Sequence, residues 1–496
     1  MKDFMKKDHF FTYSKMCVLA LTGASALMLA SCAKDGYDDE SFDAGVTNTQ
    51  LASPSADDIT ITPSADGKSQ TITWPVVVGA GGYLVNLIDL SNPAEPIIND
   101  SIVDGCSVTG SREEDVNYQL TILTLANDKK HNNAASESTT KLFSTFTAAY
   151  ATIPNGTDLV KYFAENPVPD SEDAVYYDLE PGGSYVLSDV LDFQTHNVVL
   201  RTTSKTDYAT VVYEEKGSIE YCGGLTLKYL NLNCTASSKP VLAFSANPPA
   251  DILDADNNNH NQITEPTTIQ NCHIYGVKGM LLYDNKVKYC LKTFLMENTL
   301  LHLESEKMSN GSVIYVYDGG GFINDLTMTN CTVWNTGESD QKYFIRYNNS
   351  GRCDRAGYTS NSINLYNCTM YKIASSGQMC NHGGFDGRKT SNYSVKNNIF
   401  VDCGNKQVPR RIIGRQNEEA SIEFLNNTYC TYVDGVATFE LEGAPDSVEG
   451  AKMEYDNSHT ALQTDPAFVD PANGDFTPTG AQQVSLKTGD QRWFND

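Results

Sequence analysis

One short register recurs six times between residues 269 and 429, and it constrains the chain more than any other feature. An apolar residue is followed by any residue, then Asn, then a small or polar residue, then any residue and a second apolar one. The copies are Ile269-Gln-Asn271-Cys272-His-Ile274, Met296-Glu-Asn298-Thr299-Leu-Leu301, Met328-Thr-Asn330-Cys331-Thr-Val333, Leu365-Tyr-Asn367-Cys368-Thr-Met370, Val395-Lys-Asn397-Asn398-Ile-Phe400 and Phe424-Leu-Asn426-Asn427-Thr-Tyr429. A degenerate copy, Leu227-Lys-Tyr229-Leu230-Asn-Leu232, precedes them. The Asn-to-Asn gaps are 27, 32, 37, 30 and 29 residues, too irregular for a helical repeat and too long for a hairpin meander. Repeats of this size are stacked units.

A strand, a sharp bend at Asn and a second short strand, once per gap, predict coils that pair with one another at about 4.8 Å. Asn suits the bend because it tolerates the left-handed conformation and because its amide can bond to its neighbours in a ladder along the axis. Alternation along a strand turns Cys272, Cys331 and Cys368 inward, on the face of the apolar residue two places later. By the same rule the position four after each Asn points outward: Tyr275, His302, Trp334, Tyr371, Val401 and Cys430. Trp334 and Tyr371 then align on adjacent rungs, either as faces for sugar rings or packed beneath a long loop.

These residues resemble the pectate-lyase-like right-handed parallel β-helix over about 350 residues, and more narrowly the β-helix lipoproteins of Bacteroidetes glycan-utilisation loci. Asp465-Pro466-Ala-Phe468-Val-Asp470 with Gly474-Asp475-Phe476 is similar to the closing segment of such helices. The fold class that this implies is all-β, a parallel β-helix over 147–496 with Asp158–Phe163 as a short capping helix. Before it, over 55–146, lie short alternating strands broken by turn residues, which predict a small antiparallel sandwich. There Ile72-Thr73-Trp74-Pro75, followed by Gly79-Ala80-Gly81-Gly82-Tyr83, resembles a fibronectin type III module with Trp74 in its core.

The first 31 residues read as an address. Lys2, Lys6, Lys7 and Lys15 flank an apolar run from Met16 to Leu29, the pattern of a secretory signal. Leu29-Ala30-Ser31-Cys32 resembles a bacterial lipobox, which implies cleavage before Cys32 and its lipidation; an ordinary signal with a chance cysteine is the other reading. Multiple acyl chains anchor stably. The acidic tract Lys34–Glu40 is similar to the surface-export signal of Bacteroidetes lipoproteins, and residues 32–54 read as a tether. Together these imply a cell outer-membrane lipoprotein facing the extracellular side.

Lys plus Arg total 36 against 62 Asp plus Glu, a formal charge of −26. Removing residues 1–31 takes away four Lys and two Asp, giving −26 − 2 = −28. Such a field excludes nucleic acid as a partner, and any anion site must be local. One region breaks the trend. Of ten arginines, seven are Arg346, Arg352, Arg355, Arg388, Arg410, Arg411 and Arg415. Residues 341–415 hold twelve Lys plus Arg and three acids, 12 − 3 = +9. Gly351-Arg352, Gly387-Arg388 and Gly414-Arg415 recur in consecutive insertions, so three coils are expected to display arginines along one side; an ordinary solvated face, which normally mixes signs, is the other reading. Arginine suits bidentate carboxylate recognition.

Thirteen cysteines invite a disulfide reading, but Cys17 leaves with the signal and Cys32 is lipidated. The shared repeat position of three others favours buried free thiols. No cysteine spacing suits structural zinc.

Two function classes follow. One is a surface protein that binds an anionic polysaccharide, uronate or sulfated, for a glycan importer, through the seven arginines with Trp334 and Tyr371 and with no cofactor. The other is a polysaccharide lyase, which needs a base beside a carboxylate neutraliser. Its candidates are Lys389, Arg388 and His382, with Ca²⁺ as the cofactor implied and Asp354 and Asp386 as its acids. Few carboxylates stand nearby, whereas calcium takes six to eight oxygens. Hydrolysis, which needs clustered aspartates, has the least support.

Overall fold

The computed structural model describes residues 45–255, 259–306, 311–348, 360–382, 390–413, 420–439 and 456–494. They form two compact units, one up to Phe146 and one from Thr147. Cys32 and the signal lie outside the described residues. No helix among the described residues is long and apolar enough to cross a membrane.

The first unit is an antiparallel sandwich of β1 (Thr60–Pro63), β2 (Ser69–Thr73), β3 (Tyr83–Asp89), β4 (Ile98–Val103), β5 (Ser107–Ser111), β6 (Asn117–Thr124) and β7 (Thr139–Ser144). One sheet runs β1-β2-β5 and the other β4-β3-β6-β7. Alternate residues of β3 and β6 are buried, which is the period-2 pattern of a half-buried strand. Trp74 is buried edge-on to Tyr83, with ring centroids 5.3 Å apart. A Cβ at Gly81 would stand 1.9 Å from the Ala126 carbonyl oxygen, so the glycine run permits a close backbone approach. The expected tether does not extend to residue 54. Asn48 donates to the Lys130 carbonyl and Leu51 to that of Asn133, and Leu51 is buried.

The second unit is built from three long sheets. Sheet 1 includes Leu225–Lys228, Thr267–Gln270, Tyr289–Glu297, Phe322–Thr329, Asn361–Tyr366, Ser391–Lys396 and Ser421–Leu425. Sheet 2 includes Leu230–Asn233, His273–Val277, Leu300–Leu303, Thr332–Asn335, Thr369–Tyr371, Ile399–Val401 and Thr428–Val433. Sheet 3 includes Leu242–Phe244, Leu282–Tyr283, Ser312–Val316, Tyr343–Tyr347 and Gln378–His382. The chain visits the sheets in turn, and neighbouring coils pair in parallel. Such crossovers are right-handed, and the unit is a right-handed parallel β-helix.

Both apolar positions of the sequence register stack in line. Leu227, Ile269, Met296, Met328, Leu365, Val395 and Phe424 are successive partners in sheet 1. Leu232, Ile274, Leu301, Val333, Met370, Phe400 and Tyr429 do the same in sheet 2. All are buried, and each fully buried aliphatic of this size contributes about 1.5–3 kcal/mol. Between the columns every bend residue is left-handed: Tyr229, Asn271, Asn298, Asn330, Asn367, Asn397 and Asn426 have φ between 48° and 57°.

The side-chain ladder lies one residue later than expected. Among the described residues only Asn426 donates to a neighbouring bend amide, that of Asn397, at 3.2 Å. The continuous ladder is the inward residue that follows. Cys272, Cys331 and Cys368 each set Sγ–H between a carbonyl of their own strand, those of Gln270, Thr329 and Tyr366, and a carbonyl of the preceding coil, those of Leu227, Met296 and Met328. Asn398 and Asn427 occupy the same position, and the Asn398 amide donates to the Leu365 carbonyl at 2.8 Å and to Asn427 Oδ1 at 3.0 Å. Burial pushes the Cys272 thiol up to about 12, so it stays a neutral donor. No disulfide joins two of the described cysteines.

Leu159–Glu165 is a helix capped by the Asp158 side chain. Its Phe163 packs on Tyr177 and Phe193 in the first coils. At the other end the chain does more than close the helix. Leu462 pairs beside Thr428 on the last coil. The segment then turns back over the outer face of sheet 2, where Gly489 donates to the Asn397 carbonyl and Asp490 to Thr369 Oγ1. It ends with Trp493 Nε1 donating to Thr332 Oγ1.

Candidate functional site: the arginine corner and the outer face of sheet 3

Sheet 3 strands end, and sheet 1 strands begin, at one corner of the cylinder. Tyr347 and His382 are partners at the end of sheet 3. On the following coil the helix Val408–Ile413 packs against Gln378–His382, burying Ile412 and Ile413. Across the corner Asn361, Ser391 and Asn392, and Ser421 stand in register. Three segments of chain therefore leave from and return to adjacent rungs of the same corner. They carry Arg352, Arg355, Arg388, Lys389 and Arg415, which lie outside the described residues, as do Asp354 and Asp386. Arg410 and Arg411 are half-buried on the helix.

Arg346 is the predicted arginine whose surroundings are most fully defined. Its rung in sheet 3 runs Tyr283, Tyr315, Arg346, Asn381 over four successive coils. The alternate residues Ile345 and Tyr347 point into the core, so Arg346 stands on the outer face. It is nevertheless 8% exposed. Its guanidinium carbon lies 3.6 Å from the centroid of the Tyr317 ring, 4.9 Å from Tyr343 and 5.6 Å from Tyr315. Nε and Nη1 meet no acceptor among the described residues. The neighbouring acid, Asp318, accepts from the hydroxyls of Tyr283 at 3.0 Å and Tyr315 at 2.8 Å. Burial and that carboxylate raise both tyrosine pKa values, keeping the phenols protonated. Beneath them Asp284 accepts from the Gly319 and Lys286 amides, and burial pushes its carboxyl up to about 7.

Two expectations are corrected. His382 pairs with Tyr347, so alternation turns it inside; it is 3% exposed, with Nε2 2.7 Å from the Ile412 carbonyl and its ring stacked on Tyr393. It does not present a base to the surface. Trp334 and Tyr371 do face outward on adjacent rungs, but the C-terminal segment covers them. Phe476 lies 5.6 Å from each ring, and the other neighbour of Trp334 is His302, stacked at 4.7 Å. Trp334 is buried. Packing, not an open sugar platform, accounts for the stripe.

Sequence reasoning missed Tyr283, Tyr315, Tyr317, Tyr343 and Asp318. No bend residue marks the third strand of each coil, and Tyr317 and Asp318 follow its end at Val316. Among the described residues no group of three or more His, Cys, Asp or Glu is placed to hold a metal ion.

Three domains of unknown function match the chain, over residues 5–181, 183–336 (DUF4957) and 363–493 (DUF5123). No curated protein matches. Among solved structures the chain is similar to a pectate lyase from Erwinia chrysanthemi in complex with tetragalacturonic acid, at 12% identity and a TM-score of 0.18. That similarity covers 66% of this chain and 88% of the lyase. The assignment of the β-helix rests on the strand pairing described above, independently of that likeness.

Proposed function

We propose that this protein is a lipid-anchored outer-membrane lipoprotein of Bacteroidetes type, facing outward, whose β-helix binds an anionic polysaccharide for a neighbouring importer. The lipobox at Cys32 and the acidic tract after it support the address. The sheet orders β1-β2-β5 and β4-β3-β6-β7 support a fibronectin type III-like spacer. The observation that carries the binding reading is the shared corner. Arg352, Arg355, Arg388, Lys389 and Arg415 belong to segments that leave and re-enter adjacent rungs of one edge, inside a chain of −26. Repeated arginines along a rod suit repeated carboxylates or sulfates on a linear polymer.

The test is native affinity electrophoresis of residues 33–496 through gels holding polygalacturonate, alginate, chondroitin sulfate or a neutral glucan. Retardation by acidic gels alone is expected, and the triple change Arg352→Ala, Arg388→Ala, Arg415→Ala abolishes it. Equal mobility in every gel ends the reading. Formation of an unsaturated uronate, followed by its absorbance, replaces it with lyase activity.

A further inference from the structure

We propose that Arg346, held by Tyr315, Tyr317 and Tyr343, is the subsite that receives one acid group of the polymer, a planar or tetrahedral oxyanion from a uronate or a sulfate ester. This inference rests on the polysaccharide-binding reading and adds to it a docking point for the charge.

A guanidinium that is nine-tenths buried normally stands against a carboxylate, because desolvating a charge without a partner is costly. Arg346 has no such partner among the described residues: no ion pair is formed, and Nε and Nη1 lack acceptors. The nearby acid is engaged elsewhere, since Asp318 accepts from two tyrosine hydroxyls. What holds the side chain is aromatic. At 3.6 Å the guanidinium lies against the face of Tyr317, and a ring face stabilises the cation without using its in-plane N–H donors. A guanidinium fixed by its faces, with two N–H donors unused, is preorganised to donate to an oxyanion. The rung adds a polar neighbour. Asn381, the partner of Arg346 on the next coil, offers an amide about one strand spacing further along the axis.

The experiment compares the full chain with Arg346→Gln, Arg346→Lys and Tyr317→Leu. Each is run on polygalacturonate and dextran sulfate gels at fixed salt, with melting temperature as the control for folding. Gln removes the charge and should weaken retention about tenfold or more; Lys keeps it but loses the planar fork, and should weaken retention about fivefold. Tyr317→Leu leaves the arginine without its platform and should weaken retention severalfold. Loss on polygalacturonate alone identifies a carboxylate subsite, loss on dextran sulfate alone a sulfate subsite, and either supports the proposal. Variants that fold and bind as the parent does overturn it while leaving the wider reading in place. A parent chain retained by neither gel overturns both. Should Arg346→Gln fail to fold, the Lys and Leu variants decide, because both retain a positive charge in this position.

Discussion

Two outer faces of one cylinder carry aromatic columns at equivalent outward positions, and the chain treats them differently. On sheet 2, Trp334, with His302 stacked on it, and Tyr371 are covered by the chain's own C-terminal segment, with Phe476 fully buried beside both and Phe468 and Trp493 around it. On sheet 3, Tyr283, Tyr315 and Tyr317 gather around a cation and an anion that are not paired with each other. The first arrangement is a second hydrophobic core laid on the outside of the helix. The second keeps charge and hydrogen-bonding capacity at low solvent exposure, which costs stability and suits recognition. Aromatic residues at outward rungs are therefore not by themselves evidence of a sugar platform. What lies against them decides.

The strongest way to break this contrast is to unseal sheet 2. Phe476→Ala removes the ring shared by Trp334 and Tyr371 and should cost about 3–5 kcal/mol, as a large-to-small change in a packed core does. It is read as a lower melting temperature together with a red shift of tryptophan emission. An unchanged melting temperature means that the segment is a surface decoration and that the two faces are alike. A smaller cost, about 2 kcal/mol, is expected for Asp490→Ala. Asp490 is 1% exposed; its carboxylate accepts from Thr332 Oγ1 and Arg492 Nε while its amide donates to Thr369 Oγ1, so it fastens the end of the segment to two coils. Its loss should increase hydrogen exchange in residues 481–494 more than in sheet 1.

The difference between the faces was only partly legible in the sequence. The Asn bends were readable because few residue types enter the left-handed region, so the constraint leaves a mark at each coil. Tyr229 is the exception, a bulky residue at φ 56° in the same place, and only the flanking Leu227 and Leu232 reveal it. The third strand left no such mark. In Tyr343–Tyr347 every residue is buried, so the alternation that would have set Arg346 apart from Ile345 is hidden. Trp334 could be placed outward by period, but not as sealed, because its cover comes from Phe476, 142 positions later by the difference of the residue numbers. The same limit applied to His382: its residue type suggested chemistry, and one step of register put it inside.

On sheet 3 the contrast is sharpened by pH. Asp284 is held at about 7 against an ordinary 3.8 because burial penalises its charge, despite two amide donors. The folded chain thus keeps a proton that the unfolded chain has released. Stability from this group is complete below about pH 4 and is lost as pH rises through about 7. Asp284→Asn does not titrate. The urea midpoint of the variant, measured against that of the parent, should therefore improve steadily from pH 4 to pH 8. Parallel midpoints across that range mean that the carboxyl is solvated, and that this face stores no electrostatic cost.

The smallest expected effect concerns binding through the sealed face. Trp334 faces outward by register, which is the position a sugar platform would take, and aromatic stacking on a sugar would be lost by removing its indole. The ring is instead occupied on one side by His302 at 4.7 Å, nearly parallel, and approached by Phe476. Trp334→Phe keeps an aromatic ring against both neighbours and should lower the melting temperature by only a few degrees, since a smaller ring leaves a partial cavity. Retention on acidic polysaccharide gels should stay within about twofold of the parent, the change expected of a group that the ligand does not touch. A tenfold loss with the fold intact would put the polymer on sheet 2, require the C-terminal segment to open, and reverse the roles assigned to the two faces.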